Sequence, residues 1–152
     1  MSFETTVQRA VEVAGVGLHS GVPVKARILP APPGTGIVFV RTDLDGFRIP
    51  ASWKHVQKVS YATSLMRQGV LISTTEHLLS TFYSMGIDNA YVDVDAPEIP
   101  IMDGSAATFL FLIQSAGIVE QNVPKRFLRI KKPVEIKEGD KIARLSPYEG
   151  FK

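Results

Sequence analysis

The spacing of apolar residues changes along this chain from the period of strands to that of helices, and this change limits the folds that the chain can adopt. Aliphatic residues alternate with polar ones over residues 7–13 and 22–28, which predicts two strands. From Ser73 the apolar spacing lengthens, and we expect a helix that Thr74 caps and Gly86 ends. Strands and helices combined in this way predict an α+β unit.

The same two periods predict the other elements of the first 117 residues. They are a hairpin over residues 37–41 and 47–50 that turns at Asp45 and Gly46, a strand over 90–94, and a helix over 106–116 that follows Ser105 and ends at Gly117.

The character of the sequence changes after residues 122–124, which have the composition of a linker. Three further strands are predicted over residues 127–130, 134–136 and 142–145, and no helix pattern follows them. Three strands with one apolar face are marginally stable by themselves. We therefore expect that the sequence ends inside a second folding unit.

Composition narrows the classes of protein that the chain can belong to. Its 152 residues include 17 Lys and Arg against 15 Asp and Glu, and this near balance gives no electrostatic reason to expect nucleic acid as a partner. Without cysteine there is neither a disulfide framework nor a thiolate zinc site, so a metal would need His, Asp or Glu ligands. No signal peptide is evident, and the apolar stretches are shorter than the roughly 20 residues of a membrane span. We expect a soluble, cytoplasmic protein.

Only one of the three histidines, His77, stands beside a carboxylate on a predicted helix. Adjacent helical positions differ by about 100°, so a metal ligand at His77 and a base at Glu76 could flank one metal-bound water. The motif is not His-Glu-x-x-His, because Thr81 stands one turn after His77. Since a catalytic zinc needs three protein ligands, the alternative stays open that His77 is a half-buried structural histidine and Glu76 a partner of the helix dipole.

Two loops contain further polar candidates. Residues 15–21 (GVGLHSG) hold three glycines, which predicts positive φ or a close approach by another group, and they present His19, either for function or in a bond to the backbone. In the second loop, Asp103 or Ser105 could cap the following helix, and Glu98 is expected to be a solvated carboxylate.

Four motifs in order resemble a known family: residues 15–21, 74–79 (TTEHLL), 86–89 (GIDN) and 98–106 (EIPIMDGSA). Together they resemble the UDP-3-O-acyl-N-acetylglucosamine deacetylases, zinc amidases of lipid A biosynthesis. The resemblance implies two similar domains, each with two helices packed against a small sheet. It implies that residues 1–122 form the first domain, 123–126 a linker, and 127–152 the incomplete start of the second.

The resemblance also implies roles for individual residues. Glu76 matches the general base and His77 a zinc ligand, with the remaining ligands expected from the absent second domain. Ala62 and Thr63 match a segment near the mouth of the active site and are expected to contact the substrate, and His19 is a possible neighbour of the active site. The implied reaction is zinc-dependent hydrolysis of the N-acetyl group of a UDP-3-O-acyl-N-acetylglucosamine, and we expect residues 1–152 alone to be inactive.

Two other classes of function stay open. The chain could be a non-catalytic relative that binds a nucleotide-sugar or a protein partner. It could also be an oligomerisation module, in which the uncovered strands after residue 126 pair between chains.

Overall fold

The computed structural model describes residues 2–57 and 61–150. In chain order, its strands are β1 (Phe3–Val7), β2 (Val11–Val16), β3 (Pro23–Pro30), β4 (Ile37–Arg41), β5 (Phe47–Pro50), β6 (Leu65–Arg67), β7 (Val70–Ile72), β8 (Ala90–Val94), β9 (Ile118–Pro124), β10 (Val134–Glu138) and β11 (Lys141–Leu145). The helices are α1 (Glu76–Met85) and α2 (Ala107–Ala116), and short 3-10 turns cover Thr42–Leu44 and Trp53–His55.

The central sheet has five strands in the order β2-β3-β8-β4-β5. The pairs β2/β3, β3/β8 and β4/β5 are antiparallel, whereas β4 and β8 are parallel. The predicted alternation is confirmed in β3, where Val24, Ala26 and Ile28 are buried and the intervening Lys25 and Arg27 are exposed. One face of the sheet is therefore apolar and needs a cover.

The two helices provide that cover. Leu78 and Phe82 of α1 and Phe109 and Ile113 of α2 are buried in the same core cluster as the inward side chains of the sheet, such as Phe39. Full burial of one side chain of this size contributes about 1.5–3 kcal/mol relative to exposure. The α+β prediction, with a small sheet packed against two helices, is confirmed.

The start of α1 differs from the prediction. Thr74 does not cap the helix, because its backbone has a φ of 56° and its hydroxyl donates a hydrogen bond to Glu98. The residue at the N-cap position is Thr75, whose side chain makes no capping hydrogen bond to the helix. The end of the helix at Gly86, with a φ of 73°, is as predicted.

The start of α2 is held by a local chain of hydrogen bonds. Asp103 Oδ1 accepts from the backbone N–H and the hydroxyl of Ser105, and Ser105 Oγ accepts from the N–H of Ala107. These two bonds from Ser105 lower the pKa of Asp103. Both residues that the sequence offered as helix caps thus contribute.

Residues 118–121 were not predicted as a strand, yet with 122–124 they form β9, which pairs antiparallel with β1. The expected linker residues 122–124 therefore end a strand. The division into domains at 122 and 126 stays a prediction.

The C-terminal segment forms a separate hairpin of β10 and β11, with Val134 opposite Leu145. The strand predicted over residues 127–130 is wrong, since this stretch has no ladder partner in the part of the chain that the structure describes. An apolar alternation marks a face that can be buried, but a strand also needs a paired edge. The side chains of Phe127, Leu128 and Ile136 in this segment are more than two-thirds exposed. Across residues 2–57 and 61–150, no helix has the length and apolarity to cross a membrane.

Candidate active site at the start of α1

Glu76 and His77 occupy the first turn of α1, and both are half-buried. Glu76 Oε2 accepts a hydrogen bond from the backbone N–H of Thr63 at 3.0 Å. Its other oxygen, Oε1, makes no hydrogen bond to the residues that the structure describes. The carboxylate is thus held through Oε2, and Oε1 is unpaired among the described residues.

Thr63 also accepts hydrogen bonds from the residue at the start of the helix. Its carbonyl oxygen accepts from the backbone N–H of Thr75 at 3.2 Å and from the Thr75 hydroxyl at 3.1 Å. The preceding residue, Ala62, is only 5% exposed. The structure therefore brings Thr63 into contact with Glu76, with Ala62 as its buried chain neighbour, and the contact of both residues with a substrate stays a prediction.

Glu98 lies in an environment that differs from the one predicted from the sequence. It is 3% exposed, and its carboxylate accepts hydrogen bonds from the N–H of His19 at 3.0 Å, the N–H of Ser20 at 2.9 Å and the hydroxyl of Thr74 at 2.7 Å. Burial by itself would raise the pKa of Glu98, but the bonds from Ser20, Thr74 and His19 together outweigh it and lower the pKa to about 2. The expected solvated carboxylate is instead a buried, ionised one.

The glycine loop fits around this carboxylate. A Cβ on Gly17 would lie 2.3 Å from Glu98 Oε2 and 2.2 Å from Ser20 Oγ, whereas Gly21 has a φ of 65°. Both predicted reasons for glycine, a close approach and a positive φ, are confirmed in this loop. The side chain of His19 is exposed, and it is the backbone N–H of His19 that meets Glu98.

A signal for Glu98 was present in the sequence, but it was indirect. The residue stands in a proline-containing loop without a period, so alternation says nothing about its burial. The second part of the signal is Gly17. Because it has no side chain, it leaves room for the Glu98 carboxylate, which belongs to a residue 81 positions later in the chain. Only the fold brings the two together.

Comparison with known proteins decides the family. The family model described as "LpxC: UDP-3-O-acyl N-acetylglycosamine deacetylase" matches residues 4–152. This chain belongs to that deacetylase family. Among curated relatives, the UDP-3-O-acyl-N-acetylglucosamine deacetylase of Solibacter usitatus is 66% identical over 152 residues, which is 100% of this chain and 52% of that protein. The protein of the same name from Shewanella oneidensis is 53% identical over 154 residues, 100% of this chain and 50% of that protein. The chain thus spans about half the length of these relatives.

Among the described residues, the His77 imidazole and the Glu76 carboxylate are too few donors to hold a catalytic metal ion by themselves. Within the described ranges, no group of three or more His, Cys, Asp or Glu side chains is arranged to hold a metal ion. His77 offers one imidazole beside the Glu76 carboxylate, which is a donor pair that suits zinc. The donor chemistry fits a zinc site that other residues would complete.

Two other carboxylates with lowered pKa have structural partners instead. Asp43 forms a bidentate pair with the buried Arg41, with N to O distances of 2.8 and 2.6 Å, and this pair lowers the pKa of Asp43. Glu4 Oε2 accepts from Asn89 Nδ2 at 2.8 Å and from the N–H of Gly34 at 2.7 Å, which lowers the pKa of Glu4. These hydrogen bonds join β1 and β4 to nearby loops and involve neither Glu76 nor His77.

Proposed function

We propose that this chain supplies the general base and one zinc ligand of a UDP-3-O-acyl-N-acetylglucosamine deacetylase of lipid A biosynthesis. The reaction is hydrolysis of the N-acetyl amide, which releases acetate and leaves the glucosamine amine. The observation that carries the proposal is the Glu76 carboxylate, held by the Thr63 N–H beside His77 in a chain of the deacetylase family.

Glu76 is suited to move a proton. Its Oε2 is held by Thr63, so Oε1 can take the proton of a water that attacks the amide carbonyl. The same oxygen can then deliver that proton to the leaving amine nitrogen. General acid–base catalysis of this kind contributes about 10²- to 10⁴-fold to a rate.

His77 would hold the zinc ion through a ring nitrogen. A bound zinc ion lowers the pKa of its water toward 7 and polarises the carbonyl oxygen. Consecutive helical positions differ by about 100°, so His77 and Glu76 can reach the same water from different sides. A catalytic zinc needs about three protein ligands, and the others would come from outside residues 1–152.

The remaining parts of the proposal concern organisation. Ala62 and Thr63 would contact the substrate beside Glu76, with His19 as a neighbour of the site. Residues 1–122 would form the first domain, 123–126 the linker and 127–152 the beginning of the second domain, which is the required partner. The completed enzyme would act in the cytoplasm.

The proposal is tested by completing the chain. Residues 1–152 are joined to the part of the S. usitatus relative that this chain does not match, and acetate release from UDP-3-O-acyl-N-acetylglucosamine is measured with zinc present. We expect hydrolysis by the completed protein and none by residues 1–152 alone. A folded, zinc-loaded completed protein that releases no acetate would contradict the proposal.

A further inference from the structure

Glu98 has no part in the proposed reaction, although it is buried as an ionised carboxylate. None of the ion pairs among the described residues includes Glu98, so its charge is balanced by N–H and O–H donors alone. A buried carboxylate is tolerated only when such bonds replace its lost hydration. The donors come from two separate segments, the glycine loop at residues 15–21 and the residues just before α1.

The segment before α1 is held at Glu98 against its own backbone preference. Thr74 has a φ of 56°, which a β-branched residue rarely adopts unless its surroundings impose it. Its hydroxyl bonds Glu98, and the N–H and C=O of Ser73 bond Pro97 at 2.9 Å and Ile99 at 3.0 Å. The two residues that lead into Thr75 and Glu76 are thus fixed by the loop around Glu98.

The glycine loop is fixed by the same carboxylate from the other side. The N–H of His19 donates to Glu98 Oε1, and the N–H of Ser20 donates to Glu98 Oε2. The Glu98 carboxylate lies so close to Gly17 that a side chain at position 17 would not fit. Any displacement of Glu98 would therefore move both the loop and the start of the helix.

We propose that Glu98 is a positioning residue that acts through Thr74 to fix the start of α1, and with it the direction of the Glu76 carboxylate. It also holds the glycine loop, residues 15–21, through the N–H groups of His19 and Ser20. The inference rests on the proposed function of Glu76 and assigns no contact between Glu98 and the substrate.

Four variants separate this role from a general contribution to stability. Glu98→Gln keeps the shape of the side chain but places an amide NH₂ group, itself a donor, among the N–H and O–H donors that bind the carboxylate. Thr74→Val removes the hydroxyl that donates to Glu98 without changing the size of the side chain. Thr74→Ser restores that hydroxyl. Glu4→Gln is the matched control, because Glu4 is a second buried carboxylate, 5% exposed, whose partners Gly34 and Asn89 lie outside the site.

The first measurement is amide hydrogen exchange of the 152-residue chain, which requires no catalysis. It follows the N–H groups of Thr63 and Thr75, whose hydrogen bonds do not involve Glu98. Glu98→Gln and Thr74→Val should speed their exchange by about tenfold or more, because the local opening free energy falls when the start of α1 is released. Glu4→Gln and Thr74→Ser should leave their exchange unchanged.

The second measurement is turnover of the completed protein at a temperature where every variant is folded. Glu98→Gln and Thr74→Val should lower kcat by about 10- to 100-fold, the scale of a misplaced reacting group. KM should change by less than about threefold, because no substrate contact is removed. Glu4→Gln and Thr74→Ser should keep the parent kcat.

The outcomes are distinguishable. Unchanged exchange of Thr63 and Thr75 in Glu98→Gln, or equal kcat for Thr74→Val and Thr74→Ser, overturns the positioning role. If Glu98→Gln does not fold, the comparison of Thr74→Val with Thr74→Ser decides whether the positioning role holds. If the unsubstituted completed protein releases no acetate, the proposed function fails, and the exchange measurement alone decides whether Glu98 fixes the start of α1.

Discussion

At the residue scale, Gly17 is a glycine because of space and not because of its backbone angle. A Cβ there would lie within 2.8 Å of both Ser20 and Glu98 side-chain atoms, whereas at Gly15 the nearest atoms are Pro100 Cβ at 3.0 Å and the flexible Met102 side chain at 3.1 Å. Gly17→Ala should therefore lower the free energy of unfolding by about 1–3 kcal/mol, as overpacking does.

Gly15→Ala is the matched control for this prediction. Its loss should be smaller, because the nearest atoms lie at 3.0 and 3.1 Å instead of 2.2 and 2.3 Å and one of the two contacts is the flexible Met102 side chain. Urea unfolding monitored by circular dichroism gives both values. A loss for Gly15→Ala that equals or exceeds that for Gly17→Ala would contradict the packing seen in the loop.

The pKa of Glu98 makes a second prediction at this scale. Its folded pKa of about 2 lies below its ordinary value of 4.5, so the ionised carboxylate stabilises the fold above the unfolded pKa. This stabilisation is lost as the pH falls from about 5 toward 2, because the unfolded chain takes up the proton first.

Urea unfolding across that pH range tests the effect. The free energy of unfolding should fall less steeply in Glu98→Gln than in the parent chain. Some loss should remain in the variant, because Glu4, Asp43 and Asp103 also have lowered pKa values. Parallel curves for the two proteins would contradict the lowered pKa of Glu98, because they would mean that this carboxyl makes no contribution to the pH dependence.

At the scale of elements, the sequence predicted those parts of the fold that depend on local patterns. Strands β3 and β8 alternate cleanly, and both helices end at the predicted glycines, Gly86 and Gly117. The alternation depends on the spacing of apolar side chains, and the helix end depends on the backbone conformation of one residue. Both are determined by the local sequence.

Features that depend on distant partners were missed. Strand β9 pairs with β1, more than 100 residues away, and Thr74, whose backbone lies in the left-handed region, donates its hydroxyl to Glu98, 24 residues away. The Glu76 and His77 pair was singled out from its place on a predicted helix, and its role stays a prediction, whereas the hydrogen bond from Thr63 to Glu76 could be seen only in the fold. A contact between residues that are far apart in the chain produces no local periodicity from which it could be predicted.

The C-terminal segment allows a prediction about local stability. Residues 134–145 form a two-stranded hairpin with exposed side chains, whereas Leu78, Phe82 and Phe109 of the helices are fully buried. In residues 1–152 alone, amides of β10 and β11 should exchange faster than those in the middle of α1 and α2 by about a hundredfold or more. Equal protection, measured by mass spectrometry or NMR, would mean that the hairpin is covered by a partner such as a second copy.

At the scale of the whole molecule, the chain spans about half the length of its curated relatives, and the zinc site proposed here takes a single imidazole from it, that of His77. Zinc affinity depends on the number of ligands that are held in place. Purified residues 1–152 should therefore bind well under one equivalent of zinc by elemental analysis. A stoichiometric metal that resists chelators would mean that other side chains of this chain, such as His19 or a carboxylate, complete the site.

The assignment of base and ligand is tested most directly by zinc content and turnover measured together in the completed protein. Glu76→Gln should retain zinc and lose about 10²-fold or more in turnover, the scale of lost general acid–base catalysis. His77→Ala should lose zinc and turnover together, while the exposed control Glu120→Gln should lose neither. Loss of metal in Glu76→Gln with retention in His77→Ala would reverse the two roles, and unchanged turnover in both would contradict the active site proposed at the start of α1.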